Sequence, residues 1–218
     1  VTALLAVIAG GAARRFGRDK TQLPIDGTTL LARTAALGRD LGLDVAVIGH
    51  DRPAAWPPHL AAVTFHADEQ PGHGPLGGLV TALALAASTA AAPAPSVLAV
   101  AADLPALDRQ ALAWLLALDA APPAVHARIP LHATHLEPLF ALYRPPLLPA
   151  LRARRDRGDH ALHRLTDEPG VDTVPAPAWL PARLININTP ADWAKTLVRA
   201  GDPEAHRNPT ATSGPPPR

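Results

Sequence analysis

Residues 3–9, ALLAVIA, form an uninterrupted apolar run of the kind a strand buried on both faces of a parallel sheet requires. The spacing then changes. Leu30, Leu31, Thr34, Ala35, Leu37 and Leu41 recur at helical intervals, and DVAVIG (44–49) predicts a second short strand. Residues 76–91 predict another helix, and the proline- and alanine-rich STAAAPAPS (88–96) a surface connection. VLAVAAD (97–103) reads as a third buried strand, and DRQALAWLLAL (108–118) as a helix with Asp108 at its N-cap.

The second half is less regular. AVHARI (124–129), LEPLFALYR (136–144) and RLININ (183–188) are strand candidates, with helices near 146–155 and 158–166. NTPADWAKTLVRA opens a final helix with Thr189 at the N-cap, Pro190 at the first helical position and Asp192 completing a capping box. Strands alternating with helices predict an α/β fold: an open, mostly parallel sheet with helices on both faces. A chain of 218 residues suits one domain, taken as residues 1–202. Residues 203–218, from Pro203 onward, hold too little apolar content to fold and are expected to form a disordered proline-rich tail.

Composition narrows the classes. A formal net charge of +1 argues against a general nucleic-acid binder. No stretch approaches the roughly 18 apolar residues of a membrane span, and the first residues carry no export signal. With no cysteine there can be no disulfide, zinc–thiolate site or cysteine nucleophile, and the expectation is a soluble cytoplasmic protein. Of 20 basic residues only Lys20 and Lys195 are lysines. A lysine kept among arginines in a glycine-rich loop stands out, because a compact ammonium reaches a phosphate as a point charge.

That loop, LAVIAGGAARRFGRDK (5–20), leaves a strand and gathers positive charge where parallel sheets bind ligands. Gly10 and Gly11 let backbone come close to phosphate oxygens. It lacks the spacing of G-x-x-x-x-G-K-[ST] and of G-x-G-x-x-G, which disfavours a P-loop and a dinucleotide fold.

G-G-x-x-x-R-x-G-x-D-K after an apolar strand resembles the signature of the nucleotidyltransferase family of molybdenum cofactor guanylyltransferases, the MobA-like family. Three further segments resemble that family in order and spacing: ADEQPGHGPLGGL (67–79), AVAADLPAL (99–107) and LININTPADW (184–193). The resemblance spans residues from about 3 to 200 and implies a sugar-nucleotide-transferase type of sheet. It implies that Ile8, Ala9, Gly10 and Gly11 wrap a nucleotide, that Lys20 touches its phosphates and that Asp68 meets the nucleoside. It further implies that Asp103 holds Mg²⁺, that Arg15 joins Lys20 and Asp103 in catalysis, and that Asn186 and Asn188 face the acceptor. An α-phosphorus under attack gathers charge on its equatorial oxygens and on the departing pyrophosphate, so such a site needs cations more than a covalent nucleophile.

The implied reaction moves GMP from GTP to the terminal phosphate of molybdenum-bound molybdopterin. Molybdenum-insertion or molybdoenzyme-maturation proteins are the implied partners, with neither nucleic acid nor membrane. A-G-G early in the loop, D-K at its end and the G-P-L-G-G turn (74–78) resemble the guanylyl branch more than the cytidylyl one. A cytidylyltransferase, a sugar-phosphate nucleotidyltransferase and a nucleotide-binding module without turnover remain the alternatives. The chain departs from the pattern at Ile48-Gly49, where a polar residue such as asparagine is expected near the nucleotide. His160 and His163, spaced i, i+3 among arginines, read as a charged solvent-facing helix; Glu137 divides equally between the acceptor cleft and a structural role.

Overall fold

The computed structural model describes residues 3–10, 19–91 and 93–200. Gly11, Arg15 and the tail from Pro203 lie outside the described residues, as do the other loop arginines, Arg14 and Arg18. In chain order the regular elements are β1 (Ala3–Ile8), β2 (Pro24–Ile25), β3 (Thr28–Thr29), α1 (Leu30–Asp40), β4 (Asp44–Ile48), β5 (Thr64–His66) and α2 (Gly74–Ala87). They continue with β6 (Ser96–Ala101), α3 (Arg109–Ala117), β7 (Ala127–His132), β8 (His135–Leu136), β9 (Phe140–Tyr143), α4 (Leu148–Asp156), β10 (Val171–Pro175) and α5 (Pro190–Ala200).

The main sheet runs β10-β7-β9-β6-β1-β4-β5, with β8 paired to β7. β5, β4, β1 and β6 are mutually parallel; β9 enters antiparallel between β6 and β7, and β10 returns parallel to β7. Alternate side chains feed two cores. Leu5, Val7, Val45, Val47, Leu98 and Val100 pack against α1 and α3 on one face, while Ala6, Ile8, Ala46, Ile48, Val97 and Ala99 meet α2 and α4 on the other. This is the open, mostly parallel sheet with helices on both faces that the hydrophobic pattern predicts. α1 seats so closely that a Cβ on Gly38 would lie 2.4 Å from Leu5 Cδ2 and 2.9 Å from Val45 Cγ2, so a larger residue would have to displace both side chains.

Several predicted elements shift for physical reasons. RLININ is not a strand: Leu184 and Ile187 are buried while Ile185 is 49 % exposed, and burial at i, i+3 is not strand alternation. Residues 158–166 form no α-helix but a 3₁₀ turn over Leu162–Asp167, after Gly158 at φ +75° closes α4. Pro138 divides 136–144 into β8 and β9, and the first predicted residues of β7 remain outside the ladder behind Pro122 and Pro123. The helix expected over 76–91 ends at Ala87, and Ser88 begins the connection. The Asp108 and Thr189 caps form as predicted: Asp108 accepts from the Ala111 amide, and Thr189 and Asp192 exchange side-chain-to-amide hydrogen bonds.

A third, small core joins segments far apart in sequence. Leu23, Ile25 and Leu30, around the β2–β3 hairpin, pack with Ile187 and Trp193.

Candidate functional site

Register places the site. Ile8 stands level with Ile48 on β4 and with Ala101 on β6, and Ile48 stands level with His66 on β5. Four parallel strands therefore end together, and the residues that follow them leave from one edge: Ala9-Gly10, Gly49-His50, Ala67-Asp68 and Ala102-Asp103. Ligands bind at this carboxyl edge in open α/β sheets. A cavity of about 240 Å³ opens there, floored by Ile8, Ala9, Gly10, Ala101 and Ala102 and walled by Asp19, Lys20 and Thr21. Asp103, Pro75, Leu139 and Asn186 complete it.

Lys20 is held by elements far apart in sequence. Its Nζ donates to Asp103 Oδ2 at 2.8 Å and to the Ile187 carbonyl at 2.8 Å. Both charged side chains keep about a quarter of their surface open, 24 % for Lys20 and 21 % for Asp103, so the pair remains reachable by a ligand. Ile187 itself is anchored by its amide on the Asp103 carbonyl and by its side chain in the third core.

Asp68 occupies a crowded corner. A Cβ on Gly10 would sit 3.2 Å from Asp68 Oδ2, and one on Gly49 would fall 2.7 Å from Gly10 Cα and 3.4 Å from Asp68 Oδ1. Gly49 also has φ +78°, where only glycine is free of strain. The apparent departure at Ile48-Gly49 is thus a steric requirement: the Gly10 backbone crosses directly over residue 49. Asp68 Oδ1 is buried with no hydrogen-bond partner among the described residues, and burial pushes its carboxyl above the usual range.

Beside Lys20 stands a second polar cluster that the sequence did not announce. Asp19 Oδ1 accepts from the Thr21 amide at 2.9 Å and hydroxyl at 2.7 Å, and Asp19 Oδ2 lies 2.7 Å from His50 Nε2. Burial works against the Asp19 charge, but the His50 ring and Thr21 outweigh it and hold the carboxyl below its ordinary value.

The structure brings Ile8, Ala9, Gly10, Lys20, Asp103 and Asn186 to one cavity, with Asp68 against its Gly10 rim. Asn188 is exposed and its backbone N–H donates to Asp192 Oδ2 at the start of α5, which makes its backbone part of a helix cap. His160, beyond the end of α4, meets His73 at the N-terminus of α2 (3.0 Å between ring nitrogens). Glu137 is half-buried with His135 3.6 Å away, and burial raises its carboxyl. Among the described residues no three His, Cys, Asp or Glu side chains converge as a metal cage, and no helix is long and apolar enough to cross a membrane.

A level-ended parallel sheet with a glycine-floored, lysine-bearing cleft at its carboxyl edge has the architecture of nucleotide-binding transferases. Residues 5–173 match the MobA-like NTP transferase domain, and the chain belongs to that family. A relative from Chloroflexus aggregans, named "Probable molybdenum cofactor guanylyltransferase", is 36 % identical over 201 residues, 85 % of this chain and 89 % of its own. A relative of the same name from Opitutus terrae is 35 % identical, over 86 % of this chain and 91 % of its own. The crystal structure of molybdopterin-guanine dinucleotide biosynthesis protein A from Archaeoglobus fulgidus superposes with a TM-score of 0.67 at 22 % identity, covering 91 % of this chain and 98 % of that one. It shares the fold. Nucleotidyl transfer to a phosphate acceptor is the reaction type of the family.

Proposed function

We propose that this protein transfers GMP from GTP to the terminal phosphate of molybdenum-bound molybdopterin and works in the cytoplasm. An acceptor phosphate oxygen attacks the α-phosphorus, the bond from that phosphorus to the bridging oxygen of the β-phosphate breaks, and pyrophosphate leaves. The observation that carries the reading is the Lys20–Asp103 pair standing 2.8 Å apart at the carboxyl edge of a cavity floored by Ile8, Ala9 and Gly10. The names of the relatives support guanylyl transfer within the family's reaction type.

The donor set suits Mg²⁺. This ion takes one or two carboxylates and completes its shell with water and phosphate oxygens, so a lone strand-end carboxylate is the expected protein share. Asp103 has one oxygen, Oδ2, on Lys20. Bound there, Mg²⁺ would neutralise charge on the α-phosphate and the departing pyrophosphate.

The chain's own groups do the rest. Lys20 contacts nucleotide phosphates, and Arg15 is assigned to the same charge from the loop between Gly10 and Asp19. The backbone of Ile8–Gly11 follows the nucleotide, and Asp68 accepts from donors on the nucleoside. Asn186, on the cavity wall, faces the acceptor, and Asn188 is assigned beside it. Molybdenum-insertion or molybdoenzyme-maturation proteins are the macromolecular partners we assign.

The test is pyrophosphate release on incubating the protein with Mg²⁺, molybdopterin and each of four nucleoside triphosphates. Release with GTP and not CTP is expected. Release with CTP alone, or with a sugar phosphate in place of molybdopterin, overturns the assignment of substrate; tight GTP binding without release overturns turnover itself.

A further inference from the structure

His50 leaves the end of β4 and has both ring nitrogens facing oxygen acceptors. Nδ1 lies against the backbone carbonyl of Asp51, and Nε2 lies 2.7 Å from Asp19 Oδ2 and 3.2 Å from Thr21 Oγ1. A neutral imidazole carries one N–H and one lone pair, so it would set a lone pair against either a carbonyl or a carboxylate. The imidazolium donates to both. Asp19 is equally committed, since its other oxygen is filled by the Thr21 amide and hydroxyl.

The ion pair therefore ties the short turn at Lys20–Gln22 to the end of β4, one residue from the lysine that reaches Asp103. Lys20 is long and flexible. Its tip is fixed by Asp103 and Ile187, while its root is set by its own backbone. Among the described residues that backbone is anchored by the Leu23 amide on the Lys20 carbonyl and through Asp19.

We propose that His50, as an imidazolium, is a positioning residue for nucleotidyl transfer: it clamps Asp19 and thereby sets the backbone from which Lys20 addresses the phosphates. The inference rests on the function assigned above to Lys20. Among the described residues, the charged or titratable groups that face the ring are Asp19, which precedes Lys20, and Asp51, its own neighbour. Burial disfavours the ring's charge, yet the hydrogen bonds to Asp19 and Asp51 and their negative charges prevail and raise His50 above the ordinary histidine value. The sign follows: the clamp is complete below the unfolded histidine pKa and is lost as pH rises through the raised folded one.

Two measurements test this. In the ligand-free protein, NMR titration of the His50 ring is expected to show an imidazolium persisting above the ordinary histidine range, with Asp19→Asn shifting the titration down. For transfer, His50→Ala is expected to lower kcat/KM for the nucleotide about ten- to a hundredfold, mostly through KM, as a displaced phosphate contact does. His50→Gln keeps a donor toward Asp19 but cannot titrate. It is expected to recover most of that loss and to abolish the alkaline limb of the pH profile. A ring neutral at pH 7 and indifferent to Asp19→Asn overturns the clamp, as does a His50→Ala enzyme with wild-type KM and pH profile. The NMR readout requires no turnover, so a wild-type protein that transfers nothing counts against the function while the clamp is still decided.

Discussion

Asp68 and Asp103 leave the same edge of one sheet, each two residues past the end of a parallel strand, yet their surroundings are opposite. Asp103 has an ammonium at 2.8 Å and remains open to solvent. Asp68 has glycines where a cation could have stood and keeps one oxygen buried without a partner among the described residues. The sheet thus offers a carboxylate whose charge is already compensated and another with no cation beside it among the described residues. The first already holds a cation. The second gains most from a hydrogen-bond donor, since an unpaired buried acceptor forfeits about 1–3 kcal/mol that a partner restores.

Removing the compensated charge should have the largest effect. Asp103→Asn is expected to lower turnover by about 10³-fold, the scale of deleting one electrostatic contact to a transition state. Its thermal unfolding should stay within about 1 kcal/mol of wild type, because the Lys20 tip can still use the Ile187 carbonyl and water. A large loss of stability with activity retained would make Asp103 a structural residue and erase the contrast.

The crowded corner breaks differently. Gly49→Ala forces a left-handed backbone on alanine and drives a methyl into the Gly10 backbone. A loss of about 2–3 kcal/mol in denaturant unfolding is expected. Gly42→Ala is the matched control, with φ +73° and no atom within 4 Å of its added Cβ. It should cost only the strain of about 1–2 kcal/mol. Equal losses at the two positions would show that crowding around Asp68 contributes nothing.

The smallest effect concerns Asp68 itself. Burial raises its carboxyl, so the folded chain holds this proton more tightly than the unfolded chain does. Stability therefore falls as pH rises from the unfolded carboxylate pKa through the raised folded one. Asp68→Asn, which cannot ionise, should be more stable than wild type at pH 7 by up to about 1 kcal/mol in the ligand-free state. The gain should vanish below the ordinary carboxylate range, as thermal melts across pH would show. A destabilised Asp68→Asn at neutral pH would mean that Asp68 is paired after all.

These residues differ in how readily the sequence exposed them. Lys20 and Asp103 were legible because each sits at a punctuated place, a glycine-rich loop and a strand end before Leu-Pro. The apolar runs of β1 and β6 likewise carry their burial in their composition. The second partner of Lys20 was not legible, because a backbone carbonyl at Ile187 has no residue type to read. The Asp19–His50 pair joins positions 31 apart through strand register, which no local pattern encodes. β5 and β10 escaped notice because they are short flanking strands with exposed positions, where hydrophobic alternation has little to act on. RLININ misled because three apolar residues looked like a strand although two separate hydrophobic clusters, and not a ladder, take up Leu184 and Ile187.

The third core has a consequence for how the protein comes into being. Leu23, Ile25 and Leu30 are made long before Ile187 and Trp193 follow them. Until then Lys20 lacks its carbonyl partner and the hairpin beside it lacks its apolar cover. A chain halted before residue 187 would still lack the carbonyl that holds the Lys20 tip. Synthesis order thus makes the anchoring of Lys20 depend on segments far apart in sequence.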